Sequence, residues 1–269
     1  MAEKIVVEKF EWGTRQLEVD KLFIAQFAQI RLWYKINSEE LWVAHQSLDP
    51  GMEVLADLES TADDLKWSRW AFKKAPKAFQ IMPIFPNRSV VAKPEHPFKV
   101  ATRAQAMIYV RVPVWLRLEM AKKELETLKE IPTVVLSNTW FGTFTDGELC
   151  YWLSTKARRE IAADPENPHL VICPLRIINS SEEELLVEKL RLQVRGLSIY
   201  QSDGQLWADE TKISFRGHND VSRIEIISKK PDELKEFELL SPPREDIKKG
   251  LAARTFTSIT SLPGFDLFR

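Results

Sequence analysis

The stretch "AMIYVRVPVWLRL", residues 106–118, alternates with a period of two. Met107, Tyr109, Arg111, Pro113 and Trp115 fall on one side, with Arg117 next, and Ile108, Val110, Val112, Val114, Leu116 and Leu118 on the other. A strand sends successive side chains to opposite faces, so the second, wholly apolar set is expected to face a core. A helix does not fit. Residues 79–120 also hold Pro83, Pro86, Pro94 and Pro97, and a proline inside a helix costs roughly 3 kcal/mol.

The same period runs outward in both directions. "KIVVEKFEW", "RQLEVDKLFIA", "FAQIRLWYKI" and "LWVAHQ" read as an antiparallel meander over the first third of the chain. In "FAQIRLWYKI" one strand is expected to carry Ala28, Ile30, Leu32, Tyr34 and Ile36 on its apolar face. Downstream, short strands such as "LLVEKLRLQV" are parted by Asn179-Ser180-Ser181, Ser202-Asp203-Gly204 and Gly217-His218-Asn219-Asp220. Strands at this spacing predict a mainly β protein with two β-sandwich-like, immunoglobulin-like domains. A single large twisted β-architecture is the alternative. "EMAKKELETLKEI" reads as a helical or linking segment, which sets the expected domains at residues 1–130 and 131–240. "TKARREIAADPENPH" reads as a short helix. Residues 241–269 read as a helical tail ending in "LPGFDLFR", whose Leu262, Phe265, Leu267 and Phe268 are expected to dock on their own domain or on a second copy.

"LSNTWFGTFTDGELCYWLST", residues 136–155, holds the candidate site. Asp146-Gly147 between strand-forming runs predicts a two-residue type I′ hairpin, with Thr145 opposite Glu148, Phe144 opposite Leu149 and Thr143 opposite Cys150. The functional reading puts Trp140, Asp146 and Glu148 at a ligand-binding surface. Two neighbouring carboxylates there also suit acid/base hydrolysis, although acids in a turn are ordinarily solvated. Cys150 and Cys173 read as buried and inert, because His45, His96, His169 and His218 are scattered and none is placed beside a thiol by spacing. "LKWSRWAFKK", residues 65–74, interleaves Lys66, Arg69, Lys73 and Lys74 with Trp67, Trp70 and Phe72. It reads as an edge strand or short helix before it reads as a nucleic-acid or membrane contact.

Composition narrows the classes. With 38 basic and 39 acidic residues the formal charge is −1, so no general nucleic-acid binding is expected. Nine glycines include no GxGxxG and no GxxxxGK[ST]. CxxC, HxH and HExxH are missing too, so no metal, cofactor or catalytic residue is assigned. No uninterrupted apolar run resembles a leader or a transmembrane segment, and a cytoplasmic setting is expected.

Three stretches together, "PNRSVVAKPEHPFKV", "IYVRVPVWLRL" and "LSNTWFGTFTDGELCYWLST", resemble a prokaryotic family, the domain of unknown function 432. The resemblance spans roughly residues 80–230 and implies one architecture over residues 1–240. It implies no chemistry and no catalytic residue. The expected role is a non-enzymatic binding or protein-interaction module whose partner is a protein or a small ligand. A hydrolase using the carboxylates of the 138–150 hairpin is one alternative, and a peripheral membrane-associated protein is the other. Homo-oligomerisation is expected to run through the C-terminal tail.

Overall fold

The computed structural model describes residues 4–37, 39–48, 65–121, 125–161, 164–217, 223–227 and 231–245. They form a mainly β protein, whose one helical element is the 3-10 turn Val194–Gly196. The chain builds two compact units and crosses between them after Pro83, after Val114 and after Thr133.

The first unit holds residues up to Pro83 together with Trp115–Thr133. In one sheet, Lys21–Phe27, Ile30–Asn37, Glu40–Ser47 and Ser68–Ala71 follow one another antiparallel, and Lys4–Glu8 joins Lys21–Phe27 in parallel. The second sheet runs Leu125–Pro132, Trp115–Ala121, Ala78–Ile84, Gly13–Gln16. Tyr34 from the first sheet meets Phe79 from the second edge to face, with centroids 5.1 Å apart. Multiple sheets with buried facing aromatic residues fit a sandwich.

Two expectations fail in this unit. Residues 27–36 are not one strand, because Phe27 pairs with Ile30 across a two-residue turn at Ala28-Gln29, and Ala28 has φ 51°. Alanine gives no turn signal, and the apolar period continues straight through the reversal. "EMAKKELETLKEI" is not helical either. Trp115–Ala121 and Leu125–Pro132 pair antiparallel, so Glu119, Glu126, Lys129 and Glu130 lie in paired strands, and residues 122–124 lie outside the described residues. Helix propensity is a weak prior that tertiary pairing overrides. Of the basic-aromatic segment, Ser68–Ala71 is an edge strand. Trp67 packs with Leu65 on the buried cluster of Leu22, Ile24, Trp33 and Ala44.

The second unit holds Ile84–Val114 and the described residues from Val134 onward. Its largest sheet is mixed and centres on Leu170–Asn179. One edge of that strand pairs antiparallel with Gln105–Pro113, and the other runs parallel first to Gln205–Ala208 and then to Glu210–Phe215. Val171 and Ile172 oppose Leu206 and Trp207, whereas Leu175 opposes Thr211. Three steps on one strand therefore face four on the other, which is a β-bulge. Pro174 stands at the bulge. Tyr109, its antiparallel neighbour, spends its own N–H and C=O on Arg158, so the Tyr109–Pro174 rung carries no ladder bonds. The missing proline N–H consequently falls on the bulged side, where no rung asks for it.

The six apolar residues of the 106–118 alternation are each 1% exposed or less. A second four-stranded sheet runs Asn138–Phe141, Glu148–Thr155, Val90–Pro94, Leu190–Leu192, and Phe98–Val100 pairs with Leu185–Val187. No helix forms over residues 156–161. Arg158 instead makes an antiparallel bridge with Tyr109, and Ala157 takes φ 41°. Of the expected helical tail, Glu238–Ser241 ends in a strand and residues 242–245 are not helical. Residues 246–269, including the four apolar tail positions, lie outside the described residues.

Candidate functional site

A cleft of about 580 Å³ opens in the second unit. Its floor comes from two paired strands: Pro113 stands opposite Leu170, Arg111 opposite Ile172 and Tyr109 opposite Pro174. Because side chains alternate, Tyr109, Arg111 and Pro113 turn into the cleft while Ile108, Val110 and Val112 fill the core behind it. One wall is the segment 153–161, which contributes Leu153, Lys156, Arg158, Glu160 and Ile161. It is held against the floor by the reciprocal Tyr109–Arg158 backbone bonds of 2.7 and 3.1 Å, and by Glu95 N–H donating to the Thr155 carbonyl at 2.9 Å.

The loop of Asp164 and Asn167 also lines the cleft. Arg111 forms an ion pair with the Asp164 carboxylate, and Asn167 Nδ2 donates to Asp164 Oδ1 at 2.9 Å. His169 is buried behind this loop, and its Nδ1 has no hydrogen-bond partner among the described residues. Burial holds its imidazole below the ordinary histidine range, and the nearby Asp164 charge opposes that shift. At the other end, Tyr109 Oη donates to Glu233 Oε1 at 2.8 Å. Desolvation first, and then that carboxylate, push the phenol up to about 12. Tyr109 also packs on the buried cluster of Ile172, Tyr200, Trp207 and Leu234.

The hairpin residues lie elsewhere. Asn138–Phe141 and Glu148–Thr155 pair with Trp140 opposite Leu149 and Phe141 opposite Glu148. The connection is thus a six-residue loop, 142–147, and the expected rungs of Thr145 with Glu148, Phe144 with Leu149 and Thr143 with Cys150 do not form. Positive φ falls at Gly142 (116°), not at Asp146 or Gly147. Local bonds outcompete the tight turn: Trp140 Nε1 donates to the Thr143 carbonyl (3.0 Å), Asp146 N–H to Thr143 Oγ1 (3.0 Å), and Thr145 Oγ1 to Asp146 Oδ2 (3.0 Å). Trp140 is 54% exposed. Glu148 is bridged to Arg191 at 3.1 Å and accepts from the Cys150 thiol at 3.4 Å. Trp140, Asp146 and Glu148 share this loop and its flanks, and none of them lines the cleft.

Sequence reasoning missed the cleft residues. The one available signal was the polar side of the 106–118 alternation, where Tyr109 and Arg111 stand. Their partners on the walls come from the segment read as a helix. Among the described residues no group of three metal-ligating side chains stands close enough to hold an ion, and no helix is long and apolar enough to cross a membrane.

Mixed β-sheets, one of them flooring a cleft, define a mainly β protein. The chain belongs to the family described as Protein of unknown function (DUF432), whose model matches residues 11–260. Comparison with curated proteins and comparison with solved structures both give no match to it.

Proposed function

We propose that this chain is a binding module that holds a compact amphipathic organic molecule in the cleft of its second unit. The observation that carries the reading is the cavity itself. Its volume falls within the several-hundred-Å³ range of small-molecule sites, and its lining joins apolar Pro113, Leu170 and Ile172 on the floor with polar groups such as Arg111 and Asn167. The lining charges set the ligand's character. Arg111, Lys156 and Arg158 balance Glu95, Glu160 and Asp164, so the site suits a ligand without large net charge. Apolar body on Leu170, Ile172 and Ile161, polar groups toward Arg111, Asn167 and Arg158, is the orientation the lining favours. We place the ligand here in preference to the 138–150 hairpin, where Glu148 is already ion-paired and Asp146 is bonded within its loop.

Nile red, an uncharged amphipathic dye, tests the reading. The wild-type chain is expected to raise its emission and shift it to the blue. Ile161→Trp puts a larger ring into the cleft from a residue that is 39% exposed, so it should weaken that signal several-fold with the melting temperature unchanged. Undiminished dye binding by this variant would refute the assignment.

A further inference from the structure

The strand Asn138–Phe141 is the outer edge of its four-stranded sheet. On its inner side Asn138 stands opposite Tyr151, and Thr139 opposite Cys150. Tyr151 N–H is bonded away from this strand, to the Ser89 carbonyl at 2.9 Å, while Trp152 N–H reaches the Ser137 carbonyl at 2.8 Å. Antiparallel rungs alternate between bonded and unbonded pairs. The bonded rungs are therefore those of Thr139 and Phe141, and Asn138 and Trp140 turn their N–H and C=O groups outward, to an edge with which no described strand pairs. Edges are ordinarily guarded by lysine, proline or a charge. Asn-Thr-Trp-Phe has none of these.

The two most exposed large apolar side chains among the described residues flank this strand. Phe144 is 95% exposed and Val135 85%. They stand five residues after and four residues before Thr139.

We propose that this edge pairs antiparallel with the same edge of a second copy of the chain, about a two-fold axis at Thr139. That register sets Asn138 of each copy opposite Trp140 of the other. Every outward N–H and C=O of both residues then has a partner. The same two-fold sets the loop that follows the strand in one copy, which carries Phe144, beside the segment that precedes the strand in the other, which carries Val135, so the flanking apolar side chains cover each other in both halves of an isologous contact. The strand is uncharged, so self-pairing meets no like-charge repulsion across the new rungs. The self-matched placement of the exposed residues is what favours a second copy over an unrelated extended segment.

Sedimentation velocity across a wide concentration range, from low micromolar upward, tests the proposal on the full chain. The wild type should pass reversibly from monomer to dimer. Asn138→Pro removes the N–H that faces the open edge together with the exposed side-chain bond from Arg88 Nη1 to Asn138 Oδ1, and Phe144→Asp places a charge on the flank. Each should weaken dimerisation about tenfold or more and leave the circular dichroism spectrum and melting temperature unchanged. Leu186→Asp, at a residue exposed elsewhere in the unit, should leave the equilibrium as it is. A wild type that stays monomeric throughout would overturn the proposal, as would a dimer retained unweakened by both edge variants. The cleft reading stands or falls separately, because none of the substituted residues lines the cleft.

Discussion

Replacing Gly147 by alanine drives a methyl group into the indole of Trp140. A Cβ built there lies 2.2 Å from Trp140 Nε1, 2.4 Å from its Cε2 and 2.7 Å from the Thr143 carbonyl oxygen. The indole is exposed and can swing aside, but doing so breaks its hydrogen bond to Thr143, worth about 1 kcal/mol. The carbonyl is backbone and yields only if the loop moves, at the overpacking cost of about 1–3 kcal/mol. The expected loss is therefore about 2–4 kcal/mol, with no contribution from left-handed backbone. Gly142 differs: its φ is 116°, and its Cβ would meet Gly147 Cα at 2.7 Å and the Asp146 carbonyl at 2.9 Å. Backbone strain of about 1–3 kcal/mol adds there to a collision with atoms that cannot rotate away. Gly204, at φ 73° with nothing within 4 Å, should cost only the left-handed penalty of about 1–2 kcal/mol. Urea unfolding followed by circular dichroism should rank the alanine variants Gly142 worst, Gly147 intermediate and Gly204 mildest. A cycle with Trp140→Ala is decisive: without the indole, Gly147→Ala should cost about 1 kcal/mol less. Additivity within about 0.5 kcal/mol would refute the packing argument.

The thiols of Cys150 and Cys173 are fully buried, and burial with the neighbouring Glu148 pushes Cys150 up to about 12. A maleimide at neutral pH should label neither until the chain unfolds, and stoichiometric labelling of the native protein would contradict the structure. His45 and His169 are both held below the ordinary histidine range by burial, with the Lys129 charge adding to the effect at His45. The unfolded chain takes up protons near about pH 6.5 that the folded chain refuses, so stability should fall as pH drops through that value. A His45→Gln, His169→Gln double variant should flatten the slope of urea midpoint against pH. Asp209 is 1% exposed, accepting from Ser198 N–H at 2.6 Å and Tyr200 Oη at 2.9 Å. Alanine removes both acceptors and leaves the two buried donors unpaired, so Asp209→Ala should lose about 1–3 kcal/mol in the same assay, and a neutral result would place those donors elsewhere.

Legibility in the sequence follows how local each interaction is. The 106–118 alternation depends only on which side of a strand faces the core, and its apolar half is buried throughout. The dipeptide Asp-Gly occurs at 146–147 and 203–204 and behaves differently at the two places. Ser202 pairs with Gln205 across Asp203 (φ 49°) and Gly204 (φ 73°), the positive pair that a type I′ turn requires. At 146–147 the indole of Trp140 and the hydroxyl of Thr143 bind inside the loop, and the turn residues lose to them. A dipeptide rule sees neither competitor. Nor does periodicity show that Leu170–Asn179 lies between strands drawn from residues 105–113 and 205–215. The Arg111–Asp164 pair in the cleft lining joins residues far apart in sequence, which no local pattern shows.

The cleft's two sides are built with different rigidity, and the cause is traceable to single residues. Pro174 can occupy the middle of a central strand only because the opposite strand carries an extra residue there, in the run Ala208-Asp209-Glu210. Asp209 sits at that bulge and bonds back to Ser198 and Tyr200, tying it to the next strand. The floor under Ile172 and Leu170 is therefore fixed by a sheet, a bulge and a buried carboxylate together. The wall at 156–161 is joined to it by one backbone bridge at Arg158 and carries exposed Lys156, Arg158 and Glu160. Positions set on a sheet hold their geometry, and positions on a loop adjust. Binding strength should accordingly follow the apolar floor, while discrimination among ligands of similar size should follow the three charged residues of the wall.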